Sequence, residues 1–228
     1  MKLLIATNNS DKFTEMAKLL ENQPVELYSL DDFPEAPEVE EDRNTFAGNA
    51  AKKATEMASL TGMHAVADDS GLCVDALDGR PGVYSARYAG PHGTYRDVCK
   101  KLLREMRQVP DGERQAHFAC QVAFSDPEGN VRMRAEGRCE GVITRQMRGG
   151  KGFGYDPVFL YLPAGKTFAQ MVPQEKHKFS HRGKAMRSFA EKLAIYLRNP
   201  ETFPPEDQEP AEEGDEGFID FEEWKDKS

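Results

Sequence analysis

The stretch Lys2-Leu3-Leu4-Ile5-Ala6-Thr7-Asn8-Asn9-Ser10-Asp11-Lys12-Phe13-Thr14-Glu15-Met16-Ala17-Lys18-Leu19-Leu20 decides the fold. Its apolar opening predicts a buried strand over residues 2–6, and that strand accounts for the N-terminal residues better than a signal peptide does. Small polar residues follow. Then Phe13, Met16, Ala17, Leu19 and Leu20 recur at helical spacing, which predicts an amphipathic helix over 11–22.

Outward from that unit, 25–28 reads as a second strand, and the acidic, proline-containing 31–43 as a loop. A helix over 45–61 is expected, capped by Asn44. A short strand over 65–67 then ends on Asp68-Asp69. Residues 78–82 are a turn by composition. Val98, Leu102, Leu103 and Met106 place a helix over 94–108. Partial alternation over 115–125 and 131–140, joined by Asp126-Pro127-Glu128-Gly129-Asn130, predicts a hairpin whose second strand continues through 141–144. A glycine-rich loop over 148–154 leads into a strand over 158–162. The last helix, 183–198, has Ser180 as its cap and Met186, Phe189, Ala190, Leu193 and Leu197 on its inner face. The order β-α-β-α-β, then a meander, then α argues an α/β fold with a mixed sheet flanked by helices.

A chain of 228 residues can bury a full core. Residues 1–198 read as one domain, and 199–228 as an acidic, disordered tail. The net charge of −9 belongs to that tail: twelve Asp and Glu against two Lys give it −10 and leave residues 1–198 at +1. Such a nearly neutral body gives no support for a broad nucleic-acid surface. No apolar run is long enough to span a bilayer. Cys73, Cys99, Cys120 and Cys139 lack zinc-ligand or redox spacing, which fits reduced thiols in a cytoplasmic protein.

Four polar segments carry the chemistry. Thr7-Asn8-Asn9-Ser10-Asp11-Lys12 lies between strand and helix, where free N–H groups and the helix dipole suit a triphosphate. The plainer account is an N-cap with a solvated lysine, and the segment lacks the glycines of a Walker A loop. Asp68 and Asp69 are costly at a strand end unless neutralised. A magnesium ion sharing phosphate oxygens does so, with Asp69 then activating water; the plainer account is an Asx-turn. Glu40, or its neighbour Glu41, can complete the metal site, and a solvated acidic loop serves equally. Asn49 and Lys53 share a helix face, which lets Lys53 reach toward phosphate. Gly152-Phe153-Gly154-Tyr155-Asp156-Pro157 offers aromatic rings for a base and a carboxylate for a purine N–H, or else is a tight turn into a strand. Finally, His181 and Arg182, just after Ser180, can donate to a keto oxygen, and Lys176 adds a cation.

Together these segments resemble the Ham1/inosine triphosphatase family over residues 2–198, most of all its bacterial branch. The motifs are Ala6 to Lys12, Thr45-Phe46-Ala47-Gly48-Asn49-Ala50, Ala67-Asp68-Asp69-Ser70-Gly71-Leu72, Pro81-Gly82-Val83-Tyr84-Ser85-Ala86-Arg87, Phe153 to Pro157 and Ser180 to Gly183. The resemblance implies a long mixed sheet in two lobes with the site in the cleft between them, and a homodimer. It implies hydrolysis of ITP, dITP and XTP to the monophosphate and pyrophosphate with magnesium. Thr7, Asn8, Asn9, Ser10, Asp11, Lys12 and Lys53 would hold the triphosphate, and Asp69 would be the general base at the metal site, with the choice between Glu40 and Glu41 beside Asp68 left open. Ser70 would touch the substrate, while Phe153, Gly154, Tyr155, Asp156, Lys176, His181 and Arg182 would hold the nucleobase. Asn8 stands where the family commonly has Gly, which bears on affinity rather than reaction type. The acidic tail lies outside the family pattern. A Maf-type pyrophosphatase is the nearest competing reading, opposed by Ser180-His181-Arg182. A nucleotide sensor without turnover is opposed by the retained Asp68, Asp69 and Lys12.

Overall fold

Three long strands set the length of the sheet: β3 (His64–Val74), β4 (Gln115–Ser125) and β5 (Val131–Ile143). Around them lie β1 (Lys2–Ile5), β2 (Glu26–Tyr28), β6 (Phe159–Tyr161) and β7 (Lys166–Thr167), in the order β2-β1-β3-β4-β5-β6-β7. β1 runs parallel to both β2 and β3, and the other pairings are antiparallel, so the sheet is mixed as expected. The helices are α1 (Ser10–Leu20), α2 (Phe46–Thr61), α3 (Tyr95–Glu105), α4 (Pro173–Phe179) and α5 (His181–Tyr196). This computed structural model describes residues 1–206. The expected disorder of the tail concerns in the main residues 207–228, which lie outside the described residues.

Side chains alternate across a strand, and the alternation here sorts two faces. Leu3, Ile5 and Val66 pack with Met16 of α1 and Phe189 of α5. Leu4, Ala6, Ala65 and Ala67 pack with Ala50 and Ala54 of α2. Farther along β3, on the face of Val66, a second core forms from Leu72, Val74, Phe118, Leu102 of α3 and Phe168. Two cores in series along one face give the expectation of two lobes its physical content. β1 reaches only Ile5, paired with Val66, so beyond that point this edge of β3 has no strand partner among the described residues. α1 and α2 leave from this gap on opposite faces, which makes it the switch point of the sheet, where α/β folds open a crevice.

Several expectations need correction. β3 does not stop at Ala67; it pairs with β4 from Ala65↔Ser125 to Val74↔Ala116, straight through both aspartates. α2 is capped by Thr45, whose hydroxyl accepts from the Gly48 N–H at 3.0 Å, and not by Asn44. The helix expected over 94–108 divides into α3 and a 3-10 turn, Met106–Gln108. α4 was not anticipated. Nor does chain packing end at residue 198. Arg132 donates from Nε to the Phe203 carbonyl at 2.7 Å and from Nη2 to the Pro200 carbonyl at 3.1 Å. Glu206 donates its N–H to the Val131 carbonyl at 2.8 Å, and Phe203 joins the core of Tyr196.

Candidate active site

A cavity of about 760 Å³ opens at the gap beside β3. Thr7, Asn8, Asn9, Ser10 and Lys12 line one part of it, where α1 begins. Asn9 is the helix cap: its Oδ1 accepts from the Lys12 N–H at 3.0 Å, which leaves the preceding N–H groups at the helix start directed away from the helix body. Asp11 is exposed and is not among the cavity-lining residues. Two ammonium groups flank this region. Lys12 Nζ lies 3.4 Å from Asp68, and Lys53 Nζ lies 4.0 Å from Asp69 while donating to the Asp68 carbonyl at 2.8 Å. Helix N-terminus and two lysines together form an anion seat.

Asp69 reaches the cavity from the α2 face. Its Oδ2 accepts from Asn49 Nδ2 at 2.9 Å and its Oδ1 from the Ser70 N–H at 2.8 Å. Asn49 is itself fixed, since its Oδ1 accepts from the Arg43 N–H at 2.9 Å. Burial pushes the Asp69 carboxyl above the ordinary carboxylate range; Lys53 and Asn49 pull it down and Glu41 adds to the rise. Of the acidic pair on the loop, Glu41 bonds Lys53 and acts electrostatically on Asp69, whereas Glu40 lines the cavity from an exposed position. Burial alone would lower the Lys53 ammonium, but Asp69 and Glu41 hold it above its ordinary value.

Asp68 does not share that environment. Successive residues on a strand point to opposite faces, and because β3 continues through the pair, Asp68 turns to the α1/α5 face. There it is fully buried and absent from the cavity lining. Its Oδ2 accepts from Arg182 Nε at 3.2 Å and Nη2 at 3.1 Å. Burial would raise its pKa, but Lys12 and Arg182 outweigh burial and hold it well below the usual range. Asp68 is thus the counter-ion under the site rather than one of a pair of adjacent metal ligands. Arg182, only 2 % exposed, spends four donor contacts within the protein: two on Asp68, one on Glu15 at 2.5 Å and one on Ser70 Oγ at 2.8 Å.

Glu15 of α1 extends this network to Lys176 at 3.1 Å, and Lys176 continues it to Asp156 at 2.8 Å. Three carboxylates and three cations alternate from Asp156 to Lys12. Phe153 stands beside the chain, with Lys176 Nζ 4.7 Å and the Arg182 guanidinium 5.5 Å from its ring centre. Gly152 adopts φ 71°, and a Cβ there would meet Asp156 Oδ2 at 2.0 Å, so the loop closes onto Asp156 only with glycine. Tyr155 is not an accessible shelf: its ring is buried in the second core and its hydroxyl donates to the Ser85 carbonyl at 2.9 Å. Phe153 is the ring left half-buried. His181 stacks on Phe118 at 4.5 Å, and burial, with Arg182 and Lys176 nearby, holds its pKa well below the ordinary value, so the ring is neutral. Its Nδ1 is buried and has no hydrogen-bond partner among the described residues.

Of the residues expected from sequence, the cavity therefore gathers Thr7, Asn8, Asn9, Ser10, Lys12, Glu40, Lys53, Asp69, Ser70, Phe153, Gly154, Tyr155, Asp156, Lys176, His181 and Arg182. Asp11 and Asp68 stand apart. Glu41, expected as the alternative to Glu40, also lines the cavity. Asn49 and Glu15 belong to the site without having been singled out as its ligands; Glu15 had no signal beyond its place on the α1 helix. No group of three His, Cys, Asp or Glu suited to a metal occurs among the described residues.

An open mixed sheet with a cationic helix start and a buried carboxylate at its switch point defines an α/β protein built to hold a polyanion. The chain belongs to the Ham1 family, whose profile matches residues 3–192. It is 50 % identical over 194 residues to the dITP/XTP pyrophosphatase of Desulforamulus reducens, covering 85 % of this chain and 96 % of the relative. The dITP/XTP pyrophosphatase of Geobacter sulfurreducens is 49 % identical over 185 residues, covering 81 % and 92 %. A HAM1 protein from Coxiella burnetii superimposes with a TM-score of 0.79 at 38 % identity, over 86 % of this chain and 99 % of that one.

Proposed function

We propose that this chain hydrolyses dITP, XTP and ITP to the nucleoside monophosphate and pyrophosphate. The single observation that carries the reading is one cavity joining a helix-start anion seat, a buried carboxylate and a nucleobase-sized aromatic shelf. In this reading the triphosphate sits at the start of α1 against Lys12 and Lys53, which offset its charge. The purine packs at Phe153. Asp69 takes the proton from a water whose oxygen bonds to the α-phosphorus as pyrophosphate leaves. Its raised pKa makes it a stronger base than an ordinary carboxylate, and Asn49 aims it.

A divalent cation, magnesium by preference, belongs to the reading. The donors suit it: Asp69 and Glu41 are hard oxygen ligands held near each other by Lys53, and magnesium commonly takes one or two carboxylates plus substrate phosphate oxygens. Bound there it would offset phosphate charge and polarise the phosphoryl group. A homodimer and a cytoplasmic location, with no nucleic-acid or membrane partner, complete the proposal; the family resemblance supports the dimer, the near-neutral charge of residues 1–198 argues against a broad nucleic-acid surface, and four cysteines without zinc-ligand or redox spacing fit the location.

Pyrophosphate release from ITP, dITP, XTP and ATP, with and without magnesium, tests it. Fast release from the first three that requires the metal is expected. Release from ATP at an equal rate would defeat the substrate assignment.

A further inference from the structure

The geometry points to Tyr95 as a cross-cleft positioning residue that packs on the sugar of the bound nucleotide. This rests on the nucleotide reading of the cavity. Tyr95 is the first residue of α3 and lines the cavity, and with 48 % exposure it is one of the few accessible large rings among the described residues. Its backbone is nevertheless fixed. Thr94 caps α3 by accepting from the Asp97 N–H at 3.3 Å, and the Thr94 N–H donates to Asp97 Oδ2 at 3.1 Å.

The side chain meets both halves of the site. Its hydroxyl accepts from Asn9 Nδ2 at 3.3 Å, and Asn9 caps the helix that forms the anion seat. Its ring centre lies 5.8 Å from that of Phe153, the accessible shelf, at 42°. Asn9 stands on the α1 side of the cleft, whereas α3 packs in the second core, so this contact crosses between the two cores. A nucleotide with phosphates at Asn9 and its base at Phe153 has only its sugar between them. The ring that touches both markers therefore lies over that sugar. A flat, exposed ring offers apolar contact to the sugar face at little cost in side-chain entropy.

Steady-state kinetics of the full chain with ITP and dITP tests this, alongside equilibrium binding of ITP without metal and inhibition by inorganic tripolyphosphate. Tyr95→Ala is expected to raise KM and Kd for both nucleotides by about tenfold, with a smaller fall in kcat and no change in tripolyphosphate inhibition. Tyr95→Phe, which keeps the ring, is expected to recover most of that loss. Unchanged KM and Kd in Tyr95→Ala overturn the inference. Equal weakening of nucleotides and tripolyphosphate also overturns it, because Tyr95 would then act on the anion seat through Asn9. If the wild-type chain releases no pyrophosphate from ITP, the proposed reaction fails, and the metal-free ITP affinities still decide for or against Tyr95.

Discussion

Asn49 donates a 2.9 Å hydrogen bond from Nδ2 to Oδ2 of Asp69, with the amide held at its other end by the Arg43 N–H. The bond favours the ionised carboxylate, so it opposes the rise that burial imposes. Asn49→Ala removes that support and raises the Asp69 pKa further. The acid limb of the kcat profile for ITP should move to higher pH, and kcat at neutral pH should fall about tenfold or more. A pH–rate profile of variant against wild type measures both; an acid limb that stays in place would remove Asp69 as the titrating base.

Asp68 and Asp69 should behave as opposites when each is changed to Asn. Asp69→Asn is expected to lower kcat by at least about a hundredfold, since the amide cannot take a proton from water. Asp68→Asn instead leaves Arg182 and Lys12 without their buried counter-ion, at a cost of about 3–5 kcal/mol in stability. The folded-state pKa of Asp68 is depressed, so its stabilisation is full above the ordinary carboxylate value and lost as pH falls toward the depressed one. Urea unfolding should therefore show the two proteins converging at acid pH. Parallel curves across pH would mean that Asp68 is not the counter-ion.

These two residues also mark what a sequence can convey. The strand, turn and helix of residues 2–20 were legible because an apolar run and a helical repeat are local signals. The fate of Asp68-Asp69 was not. Two charges look like the end of a strand, yet β4 pairs with β3 across both, and that pairing partner lies some fifty residues away. Once the strand continues, the pair splits between faces and only Asp69 reaches the cavity. Glu15 was hidden for a similar reason: its partners Lys176 and Arg182 lie more than 160 residues along the chain. A helical glutamate on a surface helix carries no sign of them. The direction of the Tyr155 ring is not legible either, because an aromatic residue in a glycine loop reads the same whether its ring faces the cleft or the core.

The packing of residues 199–206 onto β5 gives a separate test. Phe203→Ala removes a half-buried ring beside Tyr196, whose ring centre is 6.5 Å away. A stability loss of about 1–2 kcal/mol is expected from the apolar area exposed. The kinetics on ITP should be unchanged, because Phe203 does not line the cavity. Thermal and urea unfolding read the first effect, and unaltered stability would show that this segment contributes no packing.

Gly137 of β5 lies directly against the start of α5. A Cβ at that position would meet the His181 carbonyl oxygen at 2.1 Å and the Ala185 N at 2.6 Å. Both are backbone atoms, so Gly137→Ala must displace the start of α5, and with it His181 and Arg182. A cost of about 1–3 kcal/mol in stability is expected, together with a raised KM for ITP. Normal KM in a folded Gly137→Ala protein would show that the start of α5 tolerates movement.

In the proposed reaction, selectivity between ITP and ATP is expected to rest mainly on His181, because Arg182 is committed to Asp68, Glu15 and Ser70. Hypoxanthine carries an acceptor oxygen where adenine carries an amino donor. A neutral imidazole that donates to the oxygen meets a donor instead of an acceptor at that position of adenine, and an unpaired buried polar group costs about 1–3 kcal/mol. His181→Ala should therefore lower kcat/KM for ITP and reduce the ITP-to-ATP ratio by about tenfold. The wild-type ratio should also be flat from about pH 6 to about pH 7.5, since the ring stays neutral when its pKa lies well below the ordinary value. Any dependence on Asp69 cancels between the two substrates. A ratio that climbs as the pH falls through this range would mean that His181 gains a proton there and selects the keto oxygen as a cation, which its burial beside Arg182 and Lys176 opposes.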